Sequence, residues 1–314
     1  MTDGTDAPAV SVVICVRNGE ATLVAQLDAL AAQEGAPPFE ILVVDNGSTD
    51  RTVDVTNAWI RSGTGAASRA RVVDGSARVG ICHARNTGAR AADGRWLAFC
   101  DADDVVATTW LAGAADGLGA GCDAVTGRVY ALEDGNGWER IVLDEPGRIV
   151  TPSRSIPFAW GCSFAVTKDA FVRAGGFDES LPPYGCDDID FGLRLARAGL
   201  ELGYRPRMSV SYRDTPGVRR TIRKHFRSGV AQACIWMRHP EAYGPLPGLA
   251  QLTHGIVRDP LRTLVRGSGP IRRRALVGIG DFSRRLGAIV GLRRWVLSGR
   301  LGEARPFEDT AASA

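Results

Sequence analysis

The chain has 314 residues, 45% hydrophobic and 23% charged, a balance that suits a globular protein with a full core and excludes collagen-like and disordered classes. Its seven cysteines (Cys15, Cys82, Cys100, Cys122, Cys162, Cys186 and Cys234) include no CxxC pair, and no run of roughly 18 uncharged apolar residues occurs, so reduced thiols, a cytoplasmic location and no membrane-spanning helix are expected; the polar start at 1–9 does not read as a secretory signal. The net charge of +3 conceals an asymmetry, because residues 1–215 carry 20 basic against 29 acidic groups and residues 216–314 carry 18 against 6.

After a flexible start at 1–8, residues 10–16 (VSVVICV) predict a buried strand. Residues 21–33 place Leu23, Leu27 and Leu30 at helical spacing and 41–44 is a second apolar strand, which together make a βαβ unit. Gly47-Ser48-Thr49-Asp50 supplies a turn and cap before a helix at 52–61. A third strand is expected at 71–73, a helix at 80–92 and a fourth strand at 96–100. Such apolar strands between helices predict a mostly parallel sheet covered on both faces. Residues 123–150 change to short alternating segments, predicting antiparallel strands or an irregular excursion. A strand at 164–166 and helices at 168–174 and 189–198 follow, the helices ended by Gly175 and Gly199. The domain reading is therefore an α/β unit at 9–215 and a basic, mainly helical extension at 216–314.

The strand at 96–100 runs directly into Asp101-Ala102-Asp103-Asp104. Acids so close repel one another at the mouth of a hydrophobic sheet unless water, basic partners or a cation offset the charge. Magnesium or manganese takes oxygen ligands from one or two carboxylates plus substrate phosphates, which suits this pattern. A solvated turn with Asp104 or Thr108 capping the next helix suits it equally. Ligands of open α/β sheets bind beyond the carboxyl ends of strands, where Asp45, Asp101 and Asp103 fall; Asp187, Asp188 and Asp190 precede or open a helix. Dinucleotide and P-loop signatures are missing: Gly63-Thr64-Gly65 follows a helix and lacks a third Gly and a Lys. His83, His225, His239 and His254 lie too far apart in sequence to suggest a zinc site.

Five segments in order, VSVVICVRNGEATL, EILVVDNGSTDRT, GICHARNTGARAADGRWLAFCDADD, WGCSFAVTKDAFVRAGGFDE and CDDIDFGLRLARAG, resemble the family 2 inverting glycosyltransferases over about residues 9–200. The resemblance implies a GT-A fold, a Rossmann-like mostly parallel sheet flanked by helices with a small antiparallel portion, a UDP- or dTDP-sugar donor and a Mg²⁺ or Mn²⁺ ion. It implies that Arg17, Asn18 and Glu20 line the nucleoside pocket with Asp45, that Arg85 and Asn86 face the diphosphate or sugar, and that Asp101 and Asp103 form the DxD pair. Asp103 would coordinate the metal, Asp101 the metal or the donor, and Asp104 would cap. Asp187-Asp188 matches the acidic pair whose second member is the catalytic base, so Asp188 takes that role, with Trp160, Gly161, Cys162 and Asp187 as substrate-binding candidates. Asn46 departs from the second Asp of many relatives. A metal-binding His is also missing from the stretch at 208–213, where Arg213 would help hold the diphosphate and His225 is a distant substitute.

Between residues 261 and 300 there are ten arginines and one acid, interleaved with Leu276, Ile279, Phe282, Leu286 and Ile289 at helical spacing. An amphipathic basic helix is expected, either in an anionic membrane interface or packed on the catalytic domain; few aromatics argue against nucleic acid. The expected function is transfer of a sugar to a hydroxyl of a glycan or lipid-linked acceptor in cell-surface polysaccharide or glycolipid synthesis, by a peripheral protein of the cytoplasmic membrane face. The rival is a catalytically silent nucleotide-sugar-binding scaffold of the same fold.

Overall fold

The computed structural model describes residues 7–133, 137–150, 155–214, 217–244, 249–266, 271–297, 303–305 and 307. Most of the expected flexible start, and the expected boundary at 215–216, lie outside the described residues.

The first half alternates as β1 (Val10–Val16), α1 (Leu23–Ala31), β2 (Phe39–Asp45), α2 (Thr52–Ser62), β3 (Arg69–Asp74), α3 (Ile81–Ala91) and β4 (Trp96–Asp101). β1 pairs in parallel with β2 and β4, and β2 with β3. Parallel strands end on the same side, so the chain leaving β1, β2 and β4 gathers on one rim. The chain continues through β5 (Val105–Val106), α4 (Trp110–Gly119), β6 (Ala124–Thr126), β7 (Val129–Glu133), β8 (Gly137–Leu143), β9 (Gly147–Val150), β10 (Ser155–Phe158), β11 (Ser163–Thr167), α5 (Lys168–Arg173), α6 (Asp187–Arg197), β12 (Leu202–Tyr204) and β13 (Val210–Arg213). The main sheet has the order β12-β6-β11-β4-β1-β2-β3, with β11 antiparallel to β4 and β6, and a smaller sheet has the order β5-β13-β7-β8. The irregular stretch expected after 123 thus divides between the two sheets and a β9–β10 hairpin.

Alternation along each strand feeds two cores. Val13, Leu42, Leu97, Phe99, Phe164 and Val166 face α3, α5 and α6, whereas Val12, Ile14, Ile41, Val43, Ala98 and Ala165 face α1 and α4. The first core is aromatic, with Phe99 stacked on Phe164 at 4.7 Å and Phe177 on Phe191 at 4.9 Å. Helix α4 has a glycine-rich sequence of low helix propensity. Packing decides it: a Cβ at Gly113 would lie 2.5 Å from the Met208 backbone nitrogen, so the helix needs a glycine there to approach the chain entering β13. Trp110 anchors it, donating from Nε1 to Ser163 Oγ at 2.9 Å.

The basic extension is helical, with α7 (Val218–Arg238), α8 (Pro240–Tyr243), α9 (Leu249–Arg266) and α10 (Ile271–Leu292), the last ending in a π-helical turn at Arg293–Leu297. Among the described residues no helix is long and apolar enough to cross a membrane. Ala231, Cys234 and Ile235 of α7, with Phe307, join the same core as Phe177 and Phe191. Helix α10 packs on α7 through small residues: a Cβ at Gly229 would sit 1.9 Å from the Arg284 carbonyl oxygen and one at Gly287 2.1 Å from that of Phe226. Phe282 and Leu286, expected on the apolar face, remain exposed because the glycine face takes the contact.

Two buried ionic contacts fasten the extension. Arg238 pairs with Asp178, and His239 Nε2 lies 2.8 Å from Asp190 Oδ1 while Arg194 donates to Asp190 Oδ2 at 2.7 and 2.9 Å. Burial pushes the Asp190 carboxyl up, but Arg194 and His239 outweigh it and hold it below the usual carboxylate range. Removing this acid leaves two buried polar partners unsatisfied. Asp190→Ala is expected to lower unfolding stability by about 3 kcal/mol in urea at neutral pH. Because the folded-state value is depressed, the wild-type advantage is present above about pH 4 and shrinks as the pH falls through the folded value.

Candidate active site

The loop after β1 and the loop after β2 are zipped together by side chains. Asn18 adopts a left-handed backbone (φ 58°), donates its N–H to Ser48 Oγ at 2.9 Å and accepts from Thr49 N–H at 2.8 Å on Oδ1. Glu20 accepts from Arg51 N–H at 2.9 Å, Arg17 Nε donates to Gly47 O at 3.3 Å, and Asp45 accepts from Ser48 N–H at 3.2 and 3.3 Å. The sequence departure at Asn46 has a structural reason. Its Nδ2 donates to the carbonyls of Gly75 (2.6 Å) and Arg78 (2.8 Å) while Oδ1 accepts from Gly80 N–H (2.8 Å), a pattern an ionised Asp cannot make.

The acid loop after β4 is set by Gln26, a buried amide on α1 that donates to Asp101 O at 3.0 Å and accepts from Val106 N–H at 2.9 Å. At the centre stands Arg85 on α3, buried to 4% exposure. Its guanidinium pairs with Asp187, lies 3.5 Å from Asp101 Oδ1, donates to Gly161 O at 2.8 Å and rests over the Phe177 ring at 5.0 Å. Gly161 in turn donates its N–H to Asp188 Oδ2 at 3.3 Å. Asp187 and Asp188 occupy the first turn of α6, where the helix dipole favours negative charge. The turn into that helix is strained, since Cys186 has a left-handed φ of 62°.

Burial pushes the Asp188 carboxyl up to about 6, reinforced by Asp187 and opposed by Arg85. Asp101 is pushed up to about 6 as well, by burial and by Asp103 and Asp187, against the pull of Arg85. Burial, then the charges of Asp101, Asp187, Asp103 and Asp188, also push the Tyr184 phenol up. Asp103 is exposed, and Oδ2 of buried Asp104 has no hydrogen-bond partner. These acceptors on one loop fit a hard divalent cation whose remaining ligands are water and phosphate. Among the described residues, no three His, Cys, Asp or Glu side chains gather to hold an ion unaided.

Packing corrects three expectations. Asn86 does not face a donor: it is fully buried, its amide bracketing the Phe177 backbone at 2.8 and 2.9 Å and bonding Glu179 at 3.0 Å, which braces the chain leading to α6. Asp104 caps no helix, because its Oδ1 accepts from Arg213 N–H at 2.8 Å and ties the loop to β13. His225 is half-buried in the α7–α10 contact, where a Cβ at Gly280 would meet its ring at 2.9 Å, so it is no metal ligand. Trp160 donates to Glu145 O at 3.0 Å beside Gly161, and burial raises the Cys162 thiol well above its ordinary value. Sequence reasoning missed Gln26 and Tyr184; a lone Gln among the leucines of α1 was the available signal for the first.

Residues 11–175 match glycosyl transferase family 2. This chain belongs to that family. Residues 150–216 of this family 2 glycosyltransferase also match the N-terminal domain of galactosyltransferase. It is 30% identical over 227 residues to validoxylamine A glucosyltransferase of Streptomyces hygroscopicus subsp. limoneus, covering 62% of this chain and 49% of that protein. A PGL/p-HBAD biosynthesis glycosyltransferase of Mycobacterium bovis is 29% identical over 234 residues, covering 69% and 81%. The glycosyltransferase thus spans about half the length of the first of these relatives. In fold it is similar to the mannosyltransferase PcManGT of Pyrobaculum calidifontis, solved with GDP-Man and Mn²⁺, with a TM-score of 0.59 and 21% identity over 94% of this chain and 89% of that one.

Asn46→Asp in this glycosyltransferase is expected to lower stability by about 2 kcal/mol at pH 7, since two carbonyls lose donors and face a charge. The loss should shrink near pH 4, where protonation restores one donor; urea denaturation at the two pH values checks it.

Proposed function

We propose that the protein is an inverting, metal-assisted transferase that moves a sugar from a UDP- or dTDP-sugar to a hydroxyl of a glycan or lipid-linked acceptor. Arg17, Asn18, Glu20 and Asp45 line the nucleoside side of the pocket, and Trp160, Gly161, Cys162 and Asp187 line the sugar side. Asp188 is the catalytic base. The observation that carries this reading is its geometry: a half-buried carboxylate fixed by Gly161 N–H and the start of α6, pushed up to about 6, next to the Arg85 guanidinium that Asp187 and Asp101 share. In the transfer, the acceptor oxygen bonds to the anomeric carbon and its proton passes to Asp188, as the bond to the diphosphate breaks and the nucleoside diphosphate leaves. A single displacement inverts the anomeric centre. Mg²⁺ or Mn²⁺, held by Asp103 and Asp101, would supply positive charge against that developing on the leaving group.

Cell-surface polysaccharide or glycolipid synthesis at the cytoplasmic membrane face is the proposed setting. The support is the outer face of the extension, where Arg258, Leu261, Arg262 and Val265 line one groove on α9 and Val277, Phe282 and Leu286 are exposed on α10. Arginines beside exposed apolar side chains suit an interface with anionic headgroups.

Asp188→Asn is expected to cut nucleoside diphosphate release by about 10³-fold while donor binding persists. In the wild type, turnover should rise with pH through about 6, because the base acts in its ionised form. Binding without turnover in any form would favour the silent scaffold. In sedimentation with anionic liposomes, the protein should bind at low salt and be released by high salt or by the Arg258→Glu/Arg262→Glu double variant. Equal recovery in the supernatant throughout would remove the membrane part of the proposal.

A further inference from the structure

We propose that Lys224, carried into the donor site on α7 of the basic extension, binds the diphosphate of the nucleotide sugar. This rests on the donor-site reading above and goes beyond it, because it makes the extension a part of the active site.

Asp101, Asp187 and, through Gly161, Asp188 gather at Arg85, with Asp103 on the same loop as Asp101, and the donor brings a further negative charge on each phosphate. Besides the divalent ion proposed for Asp103 and Asp101, a side-chain cation on the diphosphate side would offset this charge. Arg85 does not supply it, since its guanidinium is buried and committed to Asp187, Asp101 and the Gly161 carbonyl. The stretch where the family resemblance places a metal-binding His is β13. That strand is fixed beside the acid loop: Ser211 pairs with Val105, Arg213 N–H bonds Asp104 Oδ1 at 2.8 Å, and Arg213 Nε donates to Asp103 O at 2.9 Å. Between these two residues stands Tyr212. Its hydroxyl accepts a hydrogen bond from Lys224 Nζ, and the ammonium lies 5.0 Å from the centre of its ring.

Helix α7 also touches the opposite wall. Ser228 lies four residues on from Lys224, on the same face of the helix, and its carbonyl receives the Cys186 thiol at 3.7 Å. Cys186 is the strained residue that opens α6, next to Asp187 and Asp188. One helix face therefore spans from the acid loop to the turn bearing the base. Arg238 and Asp178 fasten the far end of the helix.

Composition points the same way. Of the 38 basic residues only Lys168 and Lys224 are lysines, and Lys168 is tied to the Ala92 carbonyl at 3.0 Å. A chain that otherwise uses arginine places its other lysine against Tyr212, beside the acid loop. A compact ammonium on a flexible stem follows a phosphate as a point charge, which a planar guanidinium does not.

Calorimetric titration of the full chain with UDP, dTDP and GDP, and with the matching nucleosides, with and without Mn²⁺, tests the proposal. The wild type should bind one of the diphosphates. Lys224→Met should weaken that binding by about 10- to 100-fold, with the matching nucleoside little affected and the melting temperature kept. Lys224→Arg should recover part of the loss, and Tyr212→Phe, which releases the ammonium from its hydroxyl, should give a smaller loss. If Lys224→Met is folded and binds the diphosphate as the wild type does, the Lys224 assignment is overturned while the donor site stands. If Lys224→Met does not fold, undiminished binding by Tyr212→Phe overturns it equally. If the wild type binds none of the three diphosphates, the donor-site reading fails and this inference with it.

Discussion

A buried guanidinium held between two carboxylates organises this rim. Arg85 sits where α3 passes beneath the ends of β1 and β4, and its bonds to Asp187, Asp101 and the Gly161 carbonyl draw three separate segments to one point. Asp101, Asp187 and Asp188 lie within its influence, and without an internal counter-charge their mutual repulsion and desolvation would open the loops that carry them. The same cation moderates the environment it creates. It pulls down Asp101 and Asp188, which burial leaves at about 6, so both ionise near neutrality.

The parallel sheet supplies the stage for this interaction. Because β1, β2 and β4 run the same way, their following loops share a rim, and buried amides fix their spacing: Gln26 holds the acid loop and Asn46 the loop after β3. The non-glycine residues with left-handed backbone among those described, Asn18 and Cys186, lie in the loop after β1 and at the turn into α6. Strain of that kind persists where the surroundings over-determine it, and here zipped loops on one side and α7 on the other do so.

Much of this was legible in the sequence. Apolar runs alternating with helical spacing forecast the order from β1 to β4, and the five matching segments forecast the family and contain Asp101, Asp187 and Asp188, which the fold brings to Arg85. The rest depended on tertiary packing. Helix α4 exists because glycine permits a close approach to Met208, which propensity counts against. The resemblance put Asn86 beside Arg85 at the diphosphate or sugar, yet adjacent helical residues point in different directions and its amide serves the Phe177 backbone. The extension was read from its arginines and large apolar residues, whereas its packed face is made of glycines.

That packing joins the two parts of the chain. Helix α7 shares the aromatic core and closes ion pairs with Asp178 and Asp190, so the basic segment is continuous with the α/β part of the chain. The central claim is that the carboxylates assembled around Arg85 form a nucleotide-sugar site with Asp188 as its base. A crystal structure with a UDP- or dTDP-sugar and Mn²⁺ tests it most directly. The account predicts the diphosphate beside Asp103, and the anomeric carbon between it and Asp188, with the Arg85 ion pairs intact. A donor bound away from this rim, or with its anomeric carbon turned from Asp188, would contradict it.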